Sequence, residues 1–167
     1  MSKLTDTLNS FLSFRLGDEL FAANVSKVLE ILEIPKITKV PRSPAFMRGV
    51  VNLRGNVLPV IDARTKFGMP AVADTINSCI LVLNLEWEGK EIVLGTIVDQ
   101  VQEVMEIDES SIQPLPTVGA KYKTEFIEGM VKQEDQFIML LNIDLLFSND
   151  EASLLEDITK MPDTQTK

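Results

Sequence analysis

The side chains able to do chemistry in this chain are almost all carboxylates, ammonium groups and guanidinium groups. There are 25 Asp and Glu, 16 Lys and Arg, one cysteine and no histidine. Without an imidazole, no His-based general base, no Ser-His or Cys-His nucleophile pair and no His metal site can be assembled. The single cysteine, Cys79, rules out a Cys-rich zinc site and a disulfide framework. Its place in the apolar run 79–83 reads as a small core residue in a reducing cytosol. Neither a phosphate-cradling glycine loop nor a G-x-S-x-G elbow occurs. Carboxylates alone can do acid–base work, but many sit in runs such as Glu106-Ile107-Asp108-Glu109, which read as a helix start or a solvated face. Among the cations, the position of Arg54 is readable. It lies between Leu53 and Gly55 at a hairpin tip, where a long cationic side chain stays in solvent. The sequence predicts no enzyme, no cofactor and no metal.

The elements that must position these groups occur twice. Val25, Val28, Glu30 and Ile31 recur 73 residues on as Val98, Val101, Glu103 and Val104, and the stretch 49–67 recurs 80 residues on as 129–147. Two matches in the same order indicate one structural unit used twice. The growth of the offset puts extra length in the second copy, around 113–122. In the first copy the spacing predicts strands at 11–16 and 20–23 about a Gly17-Asp18 turn, with Leu12, Phe14 and Leu16 on one face and Ser13 and Arg15 on the other. A single turn capped by Asn24 follows, then an extended stretch 30–40. A second hairpin, 48–53 with 57–63, turns about Arg54-Gly55-Asn56, and a short helix runs over 63–67. After a junction at 75–78, the second copy repeats the order with strands at 79–85 and 91–98, a single turn at 99–102, an extended stretch 103–107, and strands at 126–132 and 136–143. A capping box, Ser148 to Glu151, opens a C-terminal helix over 148–161 with a docking stripe of Leu154, Leu155, Ile158 and Met161, and residues 162–167 read as a disordered tail. Many short strands with closely spaced turns predict a mainly β protein. The expected fold is two SH3-like five-stranded barrels, about 11–75 and 76–147, packed on a shared hydrophobic seam within a domain spanning 10–147.

Composition narrows the partners. With 45% apolar residues the 167-residue chain can bury a core, but two isolated units of half that length would each have a thin one, so the copies should share an interface. The net charge of −9 disfavours a nucleic-acid partner. It is unevenly spread, with +3 on residues 1–75 and −12 on 76–167. No export signal opens the chain and no apolar run is long enough for a bilayer, so a cytoplasmic protein without membrane insertion is expected.

The densest signal is Phe46-Met47-Arg48-Gly49-Val50-Val51-Asn52-Leu53-Arg54-Gly55-Asn56-Val57-Leu58-Pro59-Val60-Ile61-Asp62-Ala63-Arg64-Thr65-Lys66-Phe67-Gly68. Taken residue by residue, Gly49 and Gly55 read as turn formers, Pro59 as an edge-strand residue and Asp62 as the cap of the short helix. Taken together, the stretch resembles the CheW family of chemotaxis coupling proteins, with its R-G-x-x-N-x-R-G-x-x-x-P-V-x-D core. The likeness extends from the Phe14-Arg15-Leu16-Gly17-Asp18-Glu19 strand to Leu141-Asn142-Ile143-Asp144. It implies a duplicated barrel and a non-enzymatic adaptor, monomeric when free. Such an adaptor docks a CheA-type histidine kinase and the cytoplasmic tip of methyl-accepting chemoreceptors, and is recruited to membrane-associated receptor arrays. By resemblance, Glu30 and Arg54 lie together on the receptor-facing surface, with Asn52 beside them. Val25, Val28, Ile97 and Val98 are candidates for an apolar trough receiving a helical partner, or else for the core. Kinase contacts fall on loops near Val40 and Phe46 or on the second-copy loop around 114–122; the residues do not choose between them. Two other functions remain open: a coupling protein of a related surface-motility kinase system, and a regulatory barrel that binds a small ligand at the seam.

Overall fold

The computed structural model describes residues 9–115 and 125–160. The expected tail 162–167, Met161 of the helical stripe and the loop residues 116–122 lie outside them. Ten strands form: β1 Ser10–Leu16, β2 Glu19–Asn24, β3 Val28–Glu33, β4 Met47–Leu53, β5 Asn56–Asp62, β6 Cys79–Trp87, β7 Lys90–Val98, β8 Gln100–Glu106, β9 Ile127–Gln133 and β10 Gln136–Leu141. Two-residue turns join β1 to β2, β4 to β5, β6 to β7 and β9 to β10. Each holds a residue at positive φ, which matches the turn to the right-handed twist of the strands. Asp62 opens helix α1 (Ala63–Lys66) by accepting from the amides of Arg64 and Thr65, and Asn24 accepts from the amide of Ser26, as their types foretold. The Ser148–Glu151 capping box opens α2 (Asn149–Thr159).

The strands assemble into two five-stranded sheets, ordered β8-β1-β2-β10-β9 and β3-β6-β7-β5-β4. Exchanging each strand for its repeat partner (β1 for β6, β2 for β7, β3 for β8, β4 for β9, β5 for β10) turns one order into the other. The repeat is therefore real in register: Gly49 faces Val60 on β5 as Gly129 faces Leu140 on β10. Each sheet also curls until its far edges meet. Thr38, beyond β3, exchanges both backbone hydrogen bonds with Val50 on β4 (2.9 and 2.8 Å). Gln113, beyond β8, does the same with Met130 on β9 (2.8 and 2.8 Å). Closure of this kind hides the edges.

The sheets do not divide at the expected boundary between residues 75 and 76. Hairpin β1–β2 belongs to the sheet of β8, β9 and β10, and hairpin β6–β7 to the sheet of β3, β4 and β5. Sequence repetition cannot reveal such an exchange, because both copies offer the same edges to either hairpin. The joining ladders are parallel, β2 with β10 and β5 with β7.

Exchange makes several strands apolar on both faces, since successive side chains point to opposite sides. Ile80 and Val82 fill one barrel while Leu81, Leu83 and Leu85 face the seam. Phe11, Leu20, Ala22, Ile138 and Leu140 fill the other barrel, and Leu12, Phe14, Leu16 and Phe21 face the seam. Phe14, Phe21, Phe67 and Phe126 form a chain of ring contacts through that seam, with centroids 5.9, 5.2 and 4.7 Å apart. Each such ring stabilises the fold by about 1.5–3 kcal/mol through burial alone. Ala152, Leu155 and Ile158 of α2 cover one side of the same cluster, with Leu154 half-buried. Ser13, read from the alternation as a polar-face residue, is instead buried. Its hydroxyl donates to the Glu103 carbonyl (3.0 Å) and accepts from the Glu103 amide (3.2 Å), which makes that burial tolerable. Pro59, expected on an edge, lies in an interior strand. The parallel ladder to β7 engages Val60, Ile61 and Asp62, just past the residue that lacks an N–H.

Gly49 and Gly129 are not turn formers. Both sit where the far edge of the barrel crosses the strand. A Cβ on Gly49 would stand 2.3 Å from the Thr38 carbonyl oxygen, and one on Gly129 2.7 Å from that of Gln113. Gly49 in addition has φ +149°. Gly49→Ala and Gly129→Ala should each destabilise by about 1–3 kcal/mol, Gly49→Ala the more. Urea denaturation of the two variants measures this; unchanged midpoints would show that the barrels close elsewhere.

Candidate functional site

The charged residues of the 46–68 stretch divide by where they point. Arg48 donates to Asp62 (3.0 Å) and to both oxygens of Asp74 (3.0 and 3.1 Å), so its charge is spent inside the protein. Asp62 is thereby both helix cap and ion-pair partner. Arg64 donates from Nε to both oxygens of Asp99 (3.1 and 3.2 Å), and Asp99 also accepts from the amide of Gly17 (2.7 Å). Lys66 is buried, donates to Glu151 (2.8 Å) and lies over the rings of Phe46 and Phe147 at 4.9 and 5.0 Å. Arg54 alone of these turns outward, with its side chain 66% exposed.

Arg54 pairs with Glu30, as the resemblance implied. The two come from opposite edges of the second sheet, β3 and the β4–β5 turn, so curling of the sheet is what brings them together. Asn52 accepts from the Gly55 amide (2.9 Å) and so shapes the turn that carries Arg54. Arg54 has φ +51° and Gly55 φ +87°. The first of these is unfavourable for any residue with a Cβ, and Asn, Asp or Gly is the usual occupant. A long cation there is held for its side chain, since the backbone gains nothing from it.

The other candidates separate. Val25 and Val28 are half-buried and pack on the central cluster; Val28, opposite Leu83, lies on the other face of β3 from Glu30, opposite Val82. Ile97 and Val98, 5% and 0% exposed, are core residues and cannot wall a surface trough. Ile97 packs inside the barrel and Val98, on the other face of β7, packs in the seam. Phe46 is buried too, packed on Phe147 at 5.7 Å between centroids, so it cannot touch a partner directly; Val40 is half-buried. Leu29 and Ile31, 51% and 47% exposed, flank Glu30 on β3 and were missed. Their signal was the V-L-E-I-L-E alternation, which admits either face as the buried one. Among the described residues no three acidic or cysteine side chains cluster so as to hold a metal ion.

Comparison with known proteins gives a consistent answer. The sequence pattern of the CheW-like domain matches residues 10–151. Chemotaxis protein CheW of Rhizobium meliloti (strain 1021) is 33% identical over 148 residues, which are 89% of this chain and 93% of that protein. Protein FrzA of Myxococcus xanthus is 31% identical over 138 residues, 81% of this chain and 83% of that one. The crystal structure of scaffolding protein TtCheW from Thermoanaerobacter tengcongensis matches with TM-score 0.75 and 35% identity, covering 86% of this chain and 90% of that one.

Two predictions follow from the site's geometry. Arg54→Gly removes a surface ion pair that contributes about 0–1 kcal/mol and relieves a left-handed backbone that costs about 1–2 kcal/mol. Its melting temperature should equal or exceed that of the parent, and a marked fall would make Arg54 a fold residue. For Asp99, burial works to raise the pKa, but hydrogen bonds from Arg64 and from the Gly17 amide, with the Arg64 charge, outweigh it and hold the carboxyl below the usual aspartate range. A depressed carboxylate pKa gives stability that is complete above the unfolded-state value and lost as pH falls through the folded one. Acidification below about pH 4 should therefore weaken this latch. Asp99→Asn should be less stable at neutral pH and show a shallower acid loss; parallel acid curves for both proteins would mean the latch contributes nothing.

Proposed function

The chain belongs to the CheW-like domain family, and on that premise we propose that it is the non-enzymatic adaptor coupling chemoreceptors to a CheA-type histidine kinase. The observation that supports this best is the Glu30–Arg54 pair. It is the outward-facing charge of an otherwise inward-facing motif, presented on a strained turn. An adaptor must hold docking surfaces in fixed relation, and a filled seam between two closed barrels gives a rigid body to hang them on. On the receptor side, Glu30 orients the Arg54 guanidinium for a charge-assisted contact, and Asn52 fixes the turn. Leu29 and Ile31 supply apolar area to a helical partner, and the half-buried Val25 and Val28 add to it. The kinase docks on a different face, reached through the loop at Val40, with Phe46 supporting that loop from below. Among the described residues no helix is long and apolar enough to cross a membrane; the free chain is a monomer that joins receptor arrays by binding.

The relative FrzA does not carry the chemotaxis name, which keeps a coupling role in a related kinase system as a second reading. The reading as a ligand-binding barrel has less support, because among the described residues aromatic and aliphatic side chains pack the seam.

The test is affinity for a receptor hairpin fragment and, separately, for a CheA-type kinase. Arg54→Ala should weaken receptor binding by about 1–3 kcal/mol, and Glu30→Ala by less, because it only holds the guanidinium. Kinase binding should survive both changes, and the stability of Arg54→Ala should stay within about 0.5 kcal/mol of the parent. Loss of both affinities together with stability would place the site elsewhere. Transfer of phosphate from ATP by the purified chain alone would count against an adaptor.

A further inference from the structure

The fold presents the receptor-facing backbone twice. Glu30 on β3 lies opposite Val82 on β6. Its repeat partner Glu103 on β8 lies opposite Ser13 on β1, tied to it by two backbone–hydroxyl hydrogen bonds. The bulge preceding Glu30 has its counterpart between Leu12 and Phe14. Arg54 opens a two-residue turn between Leu53 and Asn56, and Glu134 opens one between Gln133 and Gln136. Their φ angles are +51° and +55°. The backbone thus matches at the first turn residue, although only the β4–β5 turn has a second positive φ, at Gly55.

Side-chain charge separates the two ends. At the first end Glu30 is neutralised by Arg54, which offers a guanidinium to solvent. At the second end Glu103 and Glu134 carry the same sign and, with Asp135, line a cavity of about 470 Å³; Arg15 is the one cation on its wall. Among the described residues neither Glu103 nor Glu134 has an ion-pair partner. A helix that brings a carboxylate to Arg54 meets attraction at one end and repulsion at the other, and discrimination between related sites is a difference of this kind.

We propose that the reversal from Arg54 to Glu134 is the specificity-determining feature that limits the duplicated fold to one receptor-binding end, and that the receptor group read there is a carboxylate. This rests on the receptor assignment of Arg54 made above. The β9–β10 turn accepts an arginine without new strain, because the β4–β5 turn already carries one at the same φ.

The experiment swaps the charges in the full chain and measures affinity and stoichiometry for a receptor hairpin fragment by calorimetry, with melting curves for each variant. Arg54→Glu should weaken binding by about tenfold or more. Arg54→Glu combined with Glu134→Arg should regain about tenfold of that loss, at one hairpin per chain, because binding moves to the second end. Glu134→Arg alone should add a second, weaker site. A double variant no better than Arg54→Glu, with melting intact, overturns the inference while leaving the receptor assignment standing. Arg54→Glu binding like the parent overturns both.

Discussion

Two short parallel ladders hold this protein together. In one, Ile138, Met139 and Leu140 of β10 run beside Leu20, Phe21 and Ala22 of β2; in the other, Val60, Ile61 and Asp62 of β5 run beside Gly95, Thr96 and Ile97 of β7. A parallel pair cannot be closed by a hairpin, so the chain must travel away and return. Here the excursion is made by the other copy. Each barrel consequently contains a hairpin from the opposite half of the sequence, and neither half owns a complete sheet. Small domains bury too little surface to be stable alone, and exchange turns two thin cores into one continuous structure with a shared seam.

The ends of these ladders are fastened electrostatically, with opposite polarity. Past β5 and β7, Arg64 pairs with Asp99. Past β10 and β2, Asp144 accepts from Lys27 (2.9 and 3.0 Å) and from the amide of Glu86 (2.9 Å). Equivalent corners of the fold thus use a cation from one copy in the first case and an anion from the same position in the second. A pair needs only complementarity, so one member can invert while its partner is taken from the next residue: Asp99 stands at the repeat position of Ser26, beside Lys27. Lys66 makes a third tie, between α1 and the first turn of α2, and its two aromatic neighbours replace the water it gives up.

A symmetric scaffold with inward-turned charges leaves few features to distinguish its ends. Those that do differ lie on turns, where a side chain can change without disturbing a ladder. The β4–β5 and β9–β10 turns both open on a residue at positive φ, and those two residues, Arg54 and Glu134, carry opposite charges.

Much of this was legible in the residues. The alternation and turn chemistry marked most strands, Asp62, Asn24 and Ser148 marked the helix and turn starts, and the repeated spacing marked the duplication; β8, however, begins at Gln100, where a single turn at 99–102 was expected. Local order is written in local sequence because backbone propensity and capping act over a few residues. The 46–68 motif set the family, and the resemblance to that family placed Glu30 beside Arg54. Tertiary structure alone decided which hairpin joins which barrel, since the repeat made both choices locally equal. It also decided that Ile97, Val98 and Phe46 are core. An apolar side chain has the same pattern whether it lines a trough or a seam, and only the neighbouring sheet says which. Last, it decided which cations are spent on internal partners: the hairpin tip marked Arg54 as solvent-facing, but only the curled sheets show which carboxylates come within reach of Arg48, Arg64 and Lys66.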